Sequence, residues 1–348
     1  MQIHFFCAWE KSFDDGGLEM DKITEQILSR RMHGLYLSRQ CEDITKLSRE
    51  LLGLHCWFHR NVAFSALIRG AGLMGWKTSL TKTWLYRGTL HGVVFEDLPL
   101  LLALHAGGWR WEERYKEIAE RVVGLMEDGV YSRAEMRRIF AYDYDSYTID
   151  AAFSSWGGIF CELARLGKVA FRNMTSRDFD LIDAEPTQTR EEALPELFQR
   201  YIAAYGPATL SDAAWFFGLL KERKKELSAL NLDEYSHFEY NGAVYYYIED
   251  NADIGDIPEL TLLSGFDPLI VSYTDRSAVL PQEYKSAVIL KSGICLPTIA
   301  INGQVAGLWN IKKNQSIVEF FTEQPKRIKD AAYDMADSIS WRTRDHLK

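Results

Sequence analysis

Apolar positions along the chain follow two rhythms. Three short runs, residues 88–95, 167–172 and 241–248, are rich in β-branched and aromatic side chains and predict strand pairs, each opening at a glycine. The stretches before them carry apolar residues at helical spacing. Helices are therefore predicted over 132–140 and 155–166 ahead of the second pair, and over 194–204 and 210–220 ahead of the third. Two of these helices open on a capping signature, Ser132-Arg-Ala-Glu135 and Thr209-Leu-Ser-Asp212. In that signature a hydroxyl accepts an orphan N–H and a carboxylate reaches back to the cap's own N–H. Gly206-Pro207 stops the helix before the second of them. The glycines at 88, 167 and 242 lie 79 and 75 residues apart, so helices followed by a strand hairpin occur three times. This is the winged-helix order, a helix-turn-helix closed by a β wing.

After Asp250 the rhythm changes. Short apolar segments at 269–273, 287–290, 297–301 and 305–309 alternate with turn residues, and Asn302-Gly303 between two of them is a strong two-residue hairpin signal. These predict a small, partly closed β-barrel. From Pro325 onward Ile328, Ala331, Ala332, Met335 and Ile339 return to helical spacing. The expected class is α+β. A tail at 1–19 precedes three tandem winged-helix units at 20–110, 111–188 and 189–255, then a small β-barrel at 256–322 and a C-terminal helix at 323–348.

The 348 residues, 47% hydrophobic and 26% charged, exceed what one compact core organises. The longest apolar run, 98–106, is broken by Pro99 and His105 and falls short of the ~20 residues a membrane span needs. Net charge is −9, which excludes a polybasic nucleic-acid coat protein. Charge is uneven, however. Residues 21–95 hold eleven basic and five acidic side chains, a balance of +6 that leaves −15 for the remainder. Between 51 and 95 there is no carboxylate, yet Arg60, Arg69, Lys77, Lys82 and Arg87 all occur. A surface that faces phosphates shows this deficit, because a carboxylate there would repel the backbone. A mostly buried segment would show it too. The basic run at 221–225 reads as a solvated helix end.

Five scattered cysteines without a C-x-x-C pair argue against a disulfide framework or a zinc site and fit a reducing, cytoplasmic setting. Residues 1–19 lack the basic start and small-residue cleavage site of a signal peptide. Gly70-Ala-Gly-Leu-Met-Gly75 matches G-x-G-x-x-G without the βαβ context that a dinucleotide requires, and reads as a turn between helices. No P-loop, H-E-x-x-H or G-x-S-x-G occurs. Neither a metal nor a nucleotide cofactor is expected.

Four stretches carry a resemblance: Trp84-Leu-Tyr-Arg-Gly-Thr-Leu-His91, Tyr205-Gly-Pro-Ala-Thr-Leu-Ser-Asp212 followed by Trp215, Gly265-Phe-Asp-Pro-Leu-Ile-Val-Ser-Tyr-Thr-Asp-Arg276, and Val305-Ala-Gly-Leu-Trp309. In this order, across residues 20–320, the chain resembles the winged-helix DNA glycosylase family, the AlkZ-like and YcaQ-like proteins. The resemblance implies three winged-helix units around a DNA cleft and hydrolysis of the N-glycosidic bond of alkylated purines without a metal. It also implies a Gln-x-Gln or Gln-x-Asp motif after a Gly-Leu pair. A purine alkylated at N3 or N7 is already cationic, so the enzyme has mainly to orient water at C1′ and stabilise charge developing on the sugar.

The pair here is Gly53-Leu54, followed by His55-Cys56-Trp57. The resemblance places His55 at the first catalytic glutamine and Trp57 at the second. A neutral imidazole can accept a proton from water or hold it by hydrogen bond. Indole offers only a donor, so Trp57 suits stacking on a base or wedging into a duplex. His55 equally suits a packed histidine, and Trp57 with Phe58 suits core. His59, Arg60, Lys77, Lys82 and Arg87 are the candidate phosphate contacts, with plain solvent exposure as the alternative. Asp275-Arg276 reads as a turn fixed by hydrogen bonds, and Asp267 as a turn residue before Pro268. Three functions follow. The first is a protein binding duplex DNA, damaged DNA included, through the basic first unit. The second is a monofunctional glycosylase using His55. In the third, the winged helices serve protein contacts.

Overall fold

A computed structural model describes residues 20–105, 107–219, 224–249, 254–344 and 346. The expected tail at 1–19 and most of the basic run at 221–225 lie outside them. The first group of elements comprises α1 (Lys22–Gly34), α2 (Ile44–Glu50), β1 (Leu54–His55), α3 (His59–Ile68), α4 (Trp76–Ser79), β2 (Thr81–Trp84), β3 (Leu90–Val93) and α5 (Leu98–Ala103). Asp21 and Asp43 start α1 and α2, each carboxylate accepting backbone N–H groups of the first turn. The glycine-rich 70–75 stretch is the loop between α3 and α4. The second group comprises α6 (Glu113–Glu127), α7 (Arg133–Phe140), α8 (Ser146–Ala152), α9 (Ile159–Arg165), β4 (Val169–Phe171) and β5 (Phe179–Leu181). The third comprises α10 (Arg190–Tyr205), α11 (Leu210–Phe217), α12 (Lys224–Ser228), β6 (Ser236–Tyr240) and β7 (Ala243–Tyr247).

Each apolar run supplies one strand, β3, β4 or β7, whose partner β2, β5 or β6 lies outside the run, and the first two pairs are not separate wings. Strands β1-β3-β2-β4-β5 form one antiparallel sheet, joined across the groups where Lys82 of β2 faces Phe171 of β4. The third pair, β6-β7, stands alone and turns at Asn241-Gly242, both left-handed. The Thr209–Asp212 capping box forms as read, and a second, Thr189–Glu192, opens α10. Ser132 caps α7 by position only, with no side-chain bond. Helix α11 stops earlier than its apolar spacing suggests, because Gly218 takes the left-handed cap conformation.

The C-terminal region corrects the expected barrel. Strands β8 (Leu260–Leu263), β9 (Thr298–Ile301), β10 (Gln304–Lys312) and β11 (Gln315–Phe320) form an open sheet in the order β11-β10-β9-β8. Two short helices, α13 (Pro268–Val271) and α14 (Lys285–Val288), lie between β8 and β9. Four strands are too few to close on themselves around side chains. A helix covers the face instead: α15 (Lys326–Thr343) packs on β8, β10 and β11 with Ile328, Ala332, Ala336 and Ile339 buried, at the spacing the sequence shows. Asn302-Gly303 makes the two-residue turn between β9 and β10. Among the described residues no helix is long and apolar enough to cross a membrane.

Two buried ion pairs tie these parts together. Arg69, at the end of α3, and Asp267, at the start of α13, are both 0% exposed. One guanidinium nitrogen donates to both carboxylate oxygens at 2.9 and 3.1 Å, and Nε donates to the Leu35 carbonyl at 2.8 Å. Asp267 also accepts the N–H groups of Ser264 and Leu269, so it is the turn residue expected before Pro268 as well as an ionic anchor. Arg31 and Asp212 approach to 3.9 Å, and Asp212 accepts the Thr274 N–H at 2.7 Å, linking α1, α11 and the C-terminal region. Removing one member of such a pair strands the other charge in a dry interior. Asp267→Ala is therefore expected to lower unfolding free energy by about 3–5 kcal/mol, measured by urea denaturation against Asp275→Ala at an exposed turn. Equal stability of the two variants would contradict the anchoring role.

Candidate nucleic-acid interface

The fold separates the predicted site residues into two places. His55 sits on β1, opposite His91 of β3. Its ring stacks on Phe266 at 4.2 Å and 7°, and meets the edge of His91 at 5.5 Å. Phe266 holds a left-handed backbone (φ 57°) in the Gly265-Phe266-Asp267 turn that Arg69 clamps. Gly265 is forced, because a Cβ there would lie 2.9 Å from the buried Asn61 side chain. The imidazole borders a cavity of about 20 Å³ shared with Arg87, His91, Ser264 and Tyr205, room for about one water. No carboxylate lines it.

The electrostatics keep this place neutral at its histidines. Burial, then the neighbouring His91 and Arg87, hold the His55 imidazole well below the ordinary histidine range. Burial and Arg87 push His91 down to about 3. The Trp57 backbone N–H donates to His55 Nδ1 through a long bond of 3.5 Å, which puts the proton of the neutral ring on Nε2. In that tautomer the ring presents an N–H donor at Nε2. Arg87, itself left-handed at φ 54°, donates to the Trp215 carbonyl at 3.1 Å and lies over the Trp215 ring at 5.1 Å. Arg276 approaches the same ring at 5.8 Å, while Asp275 fixes its turn through the Ser277 N–H.

Trp57 and Lys82 face elsewhere, into a groove of about 680 Å³ between the first two groups. Lys82 Nζ donates to the Ser176 carbonyl at 3.3 Å and lies over Phe171 at 4.2 Å. Burial lowers its pKa, and Arg177 repels it. Arg133, Arg137 and Arg177 of the second group complete the cationic lining. Among the described residues Lys82, Arg133 and Arg177 have no carboxylate within ion-pairing distance, while Arg137 pairs with Asp150. The one acid lining the groove, Asp178, lies 4.0 Å from Arg172. His59 opens α3 nearby, its pKa lowered by burial, then by Lys82, Lys77 and Arg60.

The cations of the first group are therefore divided among several places. Arg31 and Arg69 are buried in ion pairs, Lys46 and Arg49 face Glu50 and Asp97, and Arg87 joins the His55 cavity. Lys82 alone lines the groove with three arginines that the first-group charge count omits. Their signal was present: Arg133 and Arg137 lie four residues apart, one helical face, in α7. The helix expected over 155–166 begins only at Ile159, so Trp156 lies in the loop before it, where Gly157 and Gly158 take positive φ. As a test of the neutral histidines, ring proton shifts of His55 and His91 are expected to stay constant by NMR between pH 8 and 5, where an exposed histidine titrates. A transition near pH 6.5 at either ring would contradict the burial argument.

A family model described as DNA glycosylase AlkZ-like matches residues 77–332. An interstrand DNA cross-link repair glycosylase of Streptomyces sahachiroi is 24% identical over 275 residues, covering 70% of this chain and 74% of that protein. The solved structure of the Streptomyces sahachiroi DNA glycosylase AlkZ shares the fold at a TM-score of 0.73 and 23% identity, over 91% of this chain and 96% of that one. With its mixed helix and sheet architecture and a match spanning most of its length, the chain belongs to the AlkZ-like DNA glycosylase family.

Proposed function

We propose that this protein is a DNA-binding repair protein that holds the backbone of duplex DNA in the groove between its first two units. Lys82, Arg133, Arg137 and Arg177 are the phosphate contacts, and His59 and Arg60 flank them. The observation that carries this reading is three cations without carboxylate partners gathered in one open groove of an otherwise acidic chain. Such a set is repelled internally, and a polyanion relieves that repulsion while releasing counterions. Lys77, on α4, extends the same side of the first unit, and Arg87 contributes at the His55 cavity.

A second reading, excision of alkylated purines, is favoured by the water-sized cavity at His55. A cationic purine departs without protonation, so a water held by Nε2–H of His55 beside the sugar supplies much of what hydrolysis needs. That water gives up its proton to the leaving base or to solvent as the C1′–O bond forms. The name of the Streptomyces relative adds cross-linked duplex to the substrates worth assaying.

Fluorescence anisotropy with a labelled duplex should give an affinity that falls steeply with salt. In Lys82→Gln/Arg177→Gln the slope of log K against log salt should be reduced by about two, while Arg342→Gln on α15 leaves it unchanged. An unchanged slope in the double variant would remove the groove from the interface. Incubation with methylated DNA tests the second reading: purine release by the wild type that disappears in His55→Ala supports excision, and no release above background leaves DNA binding as the function.

A further inference from the structure

We infer that the stacked indoles of Trp57 and Trp156 form a platform that receives an unpaired nucleobase whose strand lies in the adjoining cationic groove. This deepens the DNA-binding reading and rests on it. The two rings lie 5.3 Å apart at 22°, one from the loop after β1 and the other from the loop before α9. Trp156 is 72% exposed, a large apolar face left in water next to Ser155, which lines the groove. The turn that presents it is tightly specified. Gly157 and Gly158 both have positive φ, and a Cβ on Gly158 would fall 2.1 Å from the Ala152 carbonyl oxygen. The Trp156 N–H is anchored on Ser154 Oγ at 3.3 Å.

Beneath this turn, Arg133 donates to the Ser154 carbonyl at 2.8 Å, so the loop bearing Trp156 and the groove's cationic wall are one construction. Trp57 lines the groove together with Lys82 and Arg177. An occupant must satisfy both features, offering a flat π-face to indole and a phosphate to the cations within one short span. A nucleotide whose base has left the stack does so, and stacking of a base on an aromatic ring tolerates any sequence. A base still paired within a duplex shows only its edges and leaves the platform uncovered.

The test compares three labelled DNAs: an intact duplex, the same duplex with a single-nucleotide bulge, and one of its strands. Trp156→Ala should weaken binding to the bulge and the single strand about tenfold and change duplex binding less than twofold, with Trp156→Phe retaining most of the affinity. Trp341→Ala, on the exposed face of α15 and outside the groove lining, should alter none of the three. With 2-aminopurine as the bulged base, binding of the wild type should quench its fluorescence and binding of Trp156→Ala should not. Equal losses on all three DNAs, or no loss on any, would overturn the platform even where wild-type duplex binding remains salt-dependent. A wild type that binds no DNA would overturn the DNA-binding reading and the platform with it.

Discussion

A single buried guanidinium organises the centre of this molecule. Arg69 is sealed from water at the end of α3, and it is tolerable there only because Asp267, two carbonyls and the Ser65 hydroxyl occupy its donors. Those bonds join positions 198 residues apart and fix the Gly265-Phe266-Asp267 turn against the first unit. Phe266 is thereby pressed flat on His55, and the space at the imidazole shrinks to the size of a water. The same clamp thus determines both the tertiary assembly and the chemistry open to His55.

The second constraint is the sheet shared by the first two groups of elements. Because β2 pairs with β4, the cations of one unit are set beside those of the next, and a groove with walls from both results. Had each wing closed separately, Lys82 would be one exposed lysine on a hairpin. Shared pairing also brings the loop after β1 to the loop before α9, where the two indoles meet. The His55 cavity and the groove thus meet the chain at neighbouring positions, His55 on β1 bordering the cavity and Trp57, two residues beyond, lining the groove.

Much of this was legible in the chain. Helical spacing, the Thr209–Asp212 box, the Asn302-Gly303 turn and the three β-rich runs are local signals, and local signals survive folding. The Gly-Leu-His-Cys-Trp stretch lies on and just after β1. What escaped was set by long-range partners. The charge count for residues 21–95 could not separate Arg69, which is buried and paired, from Lys82, which lines a groove. The barrel reading failed for a similar reason: four amphipathic strands are compatible with closure or with a covering helix, and α15 decides between them from outside the β region. The tautomer of His55 depends on one backbone N–H, which no residue spacing encodes.

Hydrogen–deuterium exchange with and without a short duplex tests the central claim most directly, because it reports where the nucleic acid lies without altering a residue. Slowed exchange concentrated in peptides covering 57–60, 132–138 and 173–178 is the predicted result. Protection confined to the hairpin at 312–315 or to α15, with the walls of the groove exchanging as in the free protein, would contradict it.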